Sequence, residues 1–320
     1  MNILILSCGT RNKIIQYFRE SFANIGSVVV TDCDILAPAL YDADKYYIVP
    51  KIDDENYLER IIDICKLENI NAVLSLIDPE LSLLANNKTR FDNLGITIIG
   101  SEYETCERTF NKWEMDQWLE TNGYYHAKSY IDLEEFLHDE KLGKVSFPVF
   151  VKPIHGSASI NNTIANNIEI IQYLFSMYDD LMIQEFLYGQ EIGADCYIDM
   201  ISKEVVSIFT KKKLKMRAGE TDKAISFKDD KLFQCINDFI DKSGFTGVID
   251  IDIFDVGGKY YFSEVNPRFG GGYPLAYECN ENFMLYILNN MKGIVNDKKI
   301  GIYPDNVNMM KYNEIKIIKQ

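Results

Sequence analysis

At 320 residues the chain is about twice as long as a common domain, which favours two domains or three lobes around one cleft. Apolar residues make up 47%, charged residues 25% and aromatic residues 12%, a mixture that excludes a disordered, collagen-like or coiled-coil chain. Acidic residues outnumber basic ones 48 to 33, and the formal charge of −15 repels a phosphate backbone, so nucleic acid is excluded as a general partner and any polyanion must be held locally.

No apolar run approaches the ~18 residues that cross a bilayer, and the opening MetAsnIleLeuIleLeuSerCysGly has neither a basic leader nor a cleavage site. A cytoplasmic protein with no membrane partner is expected. The cysteines at 8, 33, 65, 106, 196, 235 and 279 are scattered and form no CxxC pair, so free thiols are expected and not a disulfide framework or a cysteine zinc site.

In chain order, Asn2–Ser7 reads as a buried strand, Lys13–Phe22 as a helix, Val28–Thr31 as a strand and Glu55–Leu67 as a helix; Ala72–Leu76 and Ile96–Ile99 read as further strands. Such alternation predicts a parallel sheet covered by helices, with its crevice at the carboxyl ends of the strands. The turn SerCysGlyThrArgAsn has a single glycine, so a dinucleotide fingerprint is absent. One helix is predicted from Glu104 to about Asn122, carrying Asn111, Lys112 and Trp113. A strand over 146–153 ends in a proline, and a small-residue loop spans 155–162. Residues 181–199 read as strand, turn at Gly189, strand. Val205–Thr210 and Val248–Phe254 follow, and Tyr260–Gly272 is the hairpin partner of the second across Gly257 and Gly258. The second half is therefore α+β with an antiparallel sheet, and the tail after Asp297 carries no assignable pattern.

Side chains alternate across a strand, so Glu264 and Asn266 share a face and the hairpin partner can bring Asp252 against them. Two carboxylates and an amide carbonyl suit a hard divalent cation such as Mg²⁺, and Arg268 follows where it can steady a phosphate or acyl phosphate. Taken alone, the same residues fit a surface strand with scattered acids equally well. Lys152 ends an apolar strand just before the small-residue loop, as a phosphate-binding lysine or an ordinary surface one. Glu191 is equally at home in a solvated turn. Among the histidines, His126 and His138 have no partner pattern and read as surface residues, whereas His155 lies beside the loop.

Taken together and in order, Asn111Lys112, Lys152Pro153, Gly156SerAlaSer, Gln184GluPheLeu, Glu191, Asp252 and Glu264ValAsnProArg268 resemble the ATP-grasp superfamily. The opening turn, the stretch 34–44 and LeuIleAspProGluLeu (76–81) are similar to the Rossmann-like lobe of ligases akin to half of a carbamoyl phosphate synthetase large subunit. The resemblance implies an α/β and α+β fold with a Rossmann-like parallel-sheet domain over 1–103, an ATP-grasp small lobe with the phosphate loop over 104–183 and a C-terminal lobe with the metal site over 184–320. It further implies that Lys112 and Lys152 hold the α and β phosphates and that Ser157, Ala158 and Ser159 close over the γ phosphate. The Gln184GluPheLeu segment, with Glu185 and Leu187, would read adenine through the Gln184 carbonyl and the Leu187 N–H, and Glu191 would bind ribose. Asp252, Glu264 and Asn266 would hold two Mg²⁺, for which Mn²⁺ can substitute, and Arg268 and Arg217 would be catalytic. Arg217 lies in the stretch 213–223, similar to a loop that approaches the phosphates and acceptor. Asn161 stands where many relatives have glycine, and Asn111 where aspartate is common.

The resemblance implies an ATP-dependent carboxylate–amine ligase acting through an acyl phosphate on a small-molecule carboxylate and amine, with a homodimer expected by base rate. Bicarbonate activation of the carbamoyl phosphate type and a non-catalytic ATP-binding sensor are the alternatives.

Overall fold

The computed structural model describes residues 1–156, 162–217 and 219–319. Five parallel strands, β1 (Asn2–Leu6), β2 (Val28–Asp32), β3 (Lys45–Ile48), β4 (Ile70–Ser75) and β5 (Thr97–Ile98), form the first sheet in the order β3-β2-β1-β4-β5. The apolar runs of β1 and β2 are buried because helices cover them; the amphipathic helix Asn12–Phe22, for one, buries Ile14, Ile15, Tyr17, Phe18 and Phe22. Strand order reverses beside β1, so the loops leaving β1 and β4 open a crevice between them. Arg11 stands just past the first loop, and Asp78 begins the helix Asp78–Asn86 after the second.

The next sheet is antiparallel, with β6 (Ser129–Tyr130), β7 (Val149–Pro153), β8 (Thr163–Ala165) and β9 (Leu181–Glu185) in the order β6-β9-β7-β8. Val149, Val151 and Ile183 bury one face with Phe136 and Ile171 of the helices Leu133–Lys141 and Ile168–Met177. The third sheet, also antiparallel, comprises β10 (Gln190–Ile198), β11 (Val205–Arg217), β12 (Glu220–Phe227), β13 (Gly247–Val256), β14 (Lys259–Asn266) and β15 (Asn308–Met310) in the order β14-β13-β10-β11-β12-β15. Its apolar face, including Ile192, Ala194, Ile251 and Ile253, packs in one core with Ile236 and Phe239 of the helix Asp230–Ser243.

Three expectations are corrected. The helix over 104–122 is two helices, Tyr103–Phe110 and Lys112–Thr121, because Asn111 leaves the helical conformation and its side chain accepts hydrogen bonds from the N–H groups of Trp113 and Glu114. The stretch 213–223 is mostly strand, the end of the β11–β12 hairpin. Its period of two is written in lysines, with Lys211 and Lys213 buried and Lys212 exposed, so no apolar alternation announces it. The unassigned tail supplies β15 at the edge of the third sheet. The helices Tyr273–Glu278 and Phe283–Met291 also lie where the sequence carried no assignment.

Candidate active site

The polar face of the third sheet is built by register. Asp252 pairs with Glu264 across β13–β14 and with Gly193 across β13–β10, and Gly193 pairs in turn with Lys211. Asp250 sits one row along, opposite both Asn266 and Asp195. Direct partners in an antiparallel pair point to the same face, so Asp250, Asp252, Glu264 and Asn266 converge. An irregularity between Asp252 and Ile253 re-aims β14 beside Glu264. A Cβ on Gly193 would lie 3.0 Å from the Lys211 Cε and 3.3 Å from the Lys213 Cε, so the missing side chain is what lets both lysines lie across the sheet.

Lys213 Nζ donates to Asp252 Oδ1 at 2.6 Å and to Glu191 Oε1 at 2.9 Å. Behind it Lys211 Nζ reaches Asp195 Oδ2 at 2.5 Å, both side chains being about 1% exposed. Burial, reinforced by Asp250 and Glu264 and opposed by Lys213, pushes the Asp252 carboxyl up. Burial lowers the Lys213 ammonium, but Asp252, Glu191 and Asp250 outweigh it and the net shift is upward. These shifts pull the shared proton both ways; the lysine keeps it, since two carboxylates lie within hydrogen-bond reach.

The residues expected to hold a metal carry donors that suit a hard cation. Asp250, Asp252 and Glu264 put three carboxylates on one wall, with Lys213 Nζ 2.6 Å from Asp252 Oδ1 and Lys211 Nζ 4.0 Å from Asp250 Oδ1. Among the described residues no cluster of three or more His, Cys, Asp or Glu stands ready as a metal site; the expected donors Asp252, Glu264 and Asn266 are two carboxylates and an amide oxygen, a set that leaves places for water and phosphate oxygen.

These residues line a cleft of about 500 Å³ together with Lys213, Arg217 and Arg268. Arg268 Nε lies 3.1 Å from Asp78 Oδ1, and its Nη2 donates to Asn266 Oδ1 at 3.0 Å. Arg217 Nη2 is 3.1 Å from Asp222 Oδ1 and half exposed. The cleft wall also takes in Arg11, Glu220 and Lys311, while Asp78 anchors Arg268. Sequence reasoning gave none of the four a role, although Arg11, Asp78 and Glu220 each stood inside a stretch quoted for the resemblance. Arg11 and Asp78 follow strands that flank the reversal in strand order, and the crevice rule could have found them; Glu220 and Lys311 give no comparable signal.

Lys112, Lys152, Gln184, Glu185, Leu187 and Glu191 are not on that wall. Lys152 is buried on β7 and donates to Gln184 Oε1 at 2.6 Å, while the Gln184 amide donates to Ser129 Oγ at 3.0 Å. Lys112 Nζ donates to the Gly156 carbonyl, and its N–H to the Ile154 carbonyl at 3.0 Å, tying the segment after β7 to the start of the helix Lys112–Thr121. Burial lowers both lysines, Lys152 to about 8, and the Glu264 charge raises both, so they share one electrostatic site with it. Gln184 lies in an inner strand between Ser129 and Phe150; the Glu185 N–H donates to the Lys128 carbonyl at 2.8 Å; and Leu187 is half-buried between β9 and β10. Ser157, Ala158, Ser159 and Asn161 lie outside the described residues.

His138 is exposed as expected, whereas His126 is not a surface residue: only 15% of its side chain is exposed and Nδ1 lies 2.9 Å from Asp116 Oδ1. The sequence hid this pairing because the partners sit on either side of a turn, ten residues apart. His155 is exposed and lies 3.0 Å from Asp180. No helix among the described residues is long and apolar enough to cross a membrane.

Residues 3–99 match a family model described as the PylC-like N-terminal domain, and residues 109–272 match the ATP-grasp domain. A D-alanine–D-alanine ligase of Phocaeicola vulgatus is 34% identical over 122 residues, 36% of this chain and 37% of that protein. The arginine-specific carbamoyl phosphate synthase large chain of Bacillus subtilis is 24% identical over 161 residues, 49% of this chain and 15% of its own length. The chain thus spans well under half of either relative. The D-alanine–D-alanine ligase of Fervidobacterium nodosum is 22% identical over 69% of this chain and 78% of its own length. In fold, the chain is similar to the biotin carboxylase domain of the Hydrogenobacter thermophilus 2-oxoglutarate carboxylase (TM-score 0.76, 16% identity, 96% of this chain and 73% of that one). It is also similar to the Staphylococcus aureus N5-carboxyaminoimidazole synthetase complexed with ADP (TM-score 0.70, 19% identity, 91% and 77%). With a parallel-sheet lobe preceding two antiparallel sheets, and with more than half of its length matched to the ATP-grasp domain, the chain belongs to the ATP-grasp family.

Proposed function

We propose that this chain is an ADP-forming carboxylate–amine ligase: ATP phosphorylates a small-molecule carboxylate, an amine attacks the acyl phosphate, and the products are an amide, ADP and phosphate. The observation that carries this reading is the cleft in which Asp252, Glu264 and Asn266 stand beside Arg268 and Lys213, with no serine or cysteine among its described lining residues. Phosphoryl transfer needs positioning and charge more than a covalent nucleophile.

Lys112 and Lys152 hold the α and β phosphates, the segment 184–187 takes the adenine, Glu191 the ribose, and the 157–159 segment covers the γ phosphate. Asp252, Glu264 and Asn266 are the residues that would hold Mg²⁺, two ions in this reading with Mn²⁺ able to replace them; the bound metal would supply charge neutralisation for the terminal phosphates. Arg268, braced by Asp78, orients the carboxylate against the phosphoryl group, and Lys213 and Arg217 spread the developing charge. The lobes 1–103, 104–183 and 184–320 are part of this reading, supported by one sheet centred in each. So are a cytoplasmic location and a homodimer, the latter checked by sedimentation.

The test is ADP and phosphate release over a matrix of carboxylates and amines, with ¹⁸O in the carboxylate. ADP formation that requires both partners, with ¹⁸O appearing in phosphate, is expected. ADP from bicarbonate and ammonia alone would instead indicate bicarbonate activation, and tight nucleotide binding without turnover a sensor.

A further inference from the structure

The hairpin end of β11–β12 reaches the loop that leaves β1, and three charges meet there. Arg11 Nη1 lies 2.8 Å from Glu220 Oε1, and Lys311 Nζ lies 2.7 Å from Glu220 Oε2, so each oxygen of one carboxylate has its own cation. The floor beneath is bare backbone: a Cβ on Gly271 would come within 2.8 Å of Arg11 Nη1 and 3.1 Å of Glu220 Cδ. Elsewhere on the cleft wall, Lys213 is held by Asp252 and Glu191, Arg268 by Asp78 and Asn266, and Arg217 by Asp222. The carboxylates on Lys213 and Arg268 are 10% to 27% exposed, and Asp222 is 7% exposed. Glu220 is different, being 40% exposed at the end of a hairpin.

We propose that Arg11 and Lys311 form a subsite for a non-reacting carboxylate of the substrate, and that Glu220 occupies this subsite in the free protein. The placement rests on the ligase reading of the cleft only for which end of the substrate reacts: Arg11 and Lys311 line the same cavity as Asp252, Glu264 and Arg268, so a molecule with one carboxyl at Arg268 can extend a second toward Arg11. Glu220 already shows the geometry the ligand would take, one carboxylate oxygen to a guanidinium and the other to an ammonium. An internal occupant lowers apparent affinity by the fraction of time it fills the subsite. The cleft therefore selects substrates with two carboxyl groups, acidic amino acids and other dicarboxylates among them, and rejects analogues that would leave Arg11 and Lys311 with Glu220 alone.

The two roles open to Glu220 predict opposite signs. If it is a competitor, Glu220→Gln frees both cations and raises affinity for a second carboxylate; if it only braces Arg11 and Lys311, the same change loosens the subsite and lowers affinity. Calorimetry on the full chain with succinate, glutarate and adipate, each against the monocarboxylate of equal length (butyrate, valerate, hexanoate), reads this directly. At least one dicarboxylate is expected to bind the wild-type protein more tightly than its partner. Glu220→Gln should strengthen that binding roughly tenfold, whereas Arg11→Ala and Lys311→Met should each weaken it about ten- to a hundredfold while monocarboxylate binding stays unchanged. Equal binding of every matched pair, weaker dicarboxylate binding in Glu220→Gln, or a preference that survives both Arg11→Ala and Lys311→Met would each overturn the proposal. Arg11→Gln, which removes the charge but keeps the side chain's polarity, serves if Arg11→Ala does not fold. These arms require no turnover, so a chain that never releases ADP would end the ligase reading and leave the subsite to be decided by binding alone.

Discussion

Lys152 shows how a single residue ties the site to pH. Burial is the largest influence on its ammonium, Lys112 adds repulsion, and together they outweigh the attraction of Glu264 to bring it down to about 8. The free protein therefore loses this positive charge as pH rises through 8, and ATP affinity should be highest below that value and fall above it. Lys152→Met should remove the inflection and cost about 2 to 3 kcal/mol of binding, measured by nucleotide titration across pH. If Glu264 holds metal as proposed, Glu264→Gln should lower turnover by about a hundredfold or more with an unchanged circular dichroism spectrum, because one of two carboxylate donors is lost. The grouping of two acids and an amide was legible in sequence, since Asp252, Glu264 and Asn266 stand at strand spacing on a hairpin. Lys213 stood inside a flagged stretch, but its grip on Asp252 and Glu191 was not legible: a lysine in a strand reads as solvent-facing, and only the missing Cβ at Gly193 makes an inward path for it.

At the scale of elements, β10 and β11 share a buried ion pair, Asp195 with Lys211. Asp195→Ala should leave Lys211 charged in the interior and destabilise the protein by about 3 to 5 kcal/mol, whereas Asp195→Leu with Lys211→Met should recover much of that loss. Denaturant midpoints of the two variants separate these outcomes. Asn111→Ala should cost about 1 kcal/mol by removing the cap of the helix Lys112–Thr121, and with it the placement of Lys112 against the Gly156 carbonyl. Strands with apolar runs, β1, β2, β4 and β13, were readable because burial on one or both faces wrote itself into composition. The break at Asn111 was not, since the flanking residues favour helix and only the side-chain cap divides them.

For the whole molecule, the alternation of strands and helices in the first hundred residues predicted a parallel sheet, and the hairpin signals of the second half predicted antiparallel pairing; both follow from local pattern. How the lobes meet was not legible, because the residues that join them are far apart in the chain: Asp78 and Arg268 are 190 positions apart. Asp78→Ala should lower turnover more than nucleotide affinity, since it unbraces Arg268 without touching Lys112 or Lys152, and a comparison of kcat with the KM for ATP checks this. The same junction limits exchange between relatives. Arg11 and Asp78 lie in the first lobe, while Glu220, Arg268 and Lys311 belong to the last, so a chimaera spliced between residues 99 and 109 would keep every sheet and still bring mismatched charges to the seam. A first lobe is therefore not a cassette: a graft lacking an arginine and an aspartate at these two loops would inherit a nucleotide clamp facing the wrong wall.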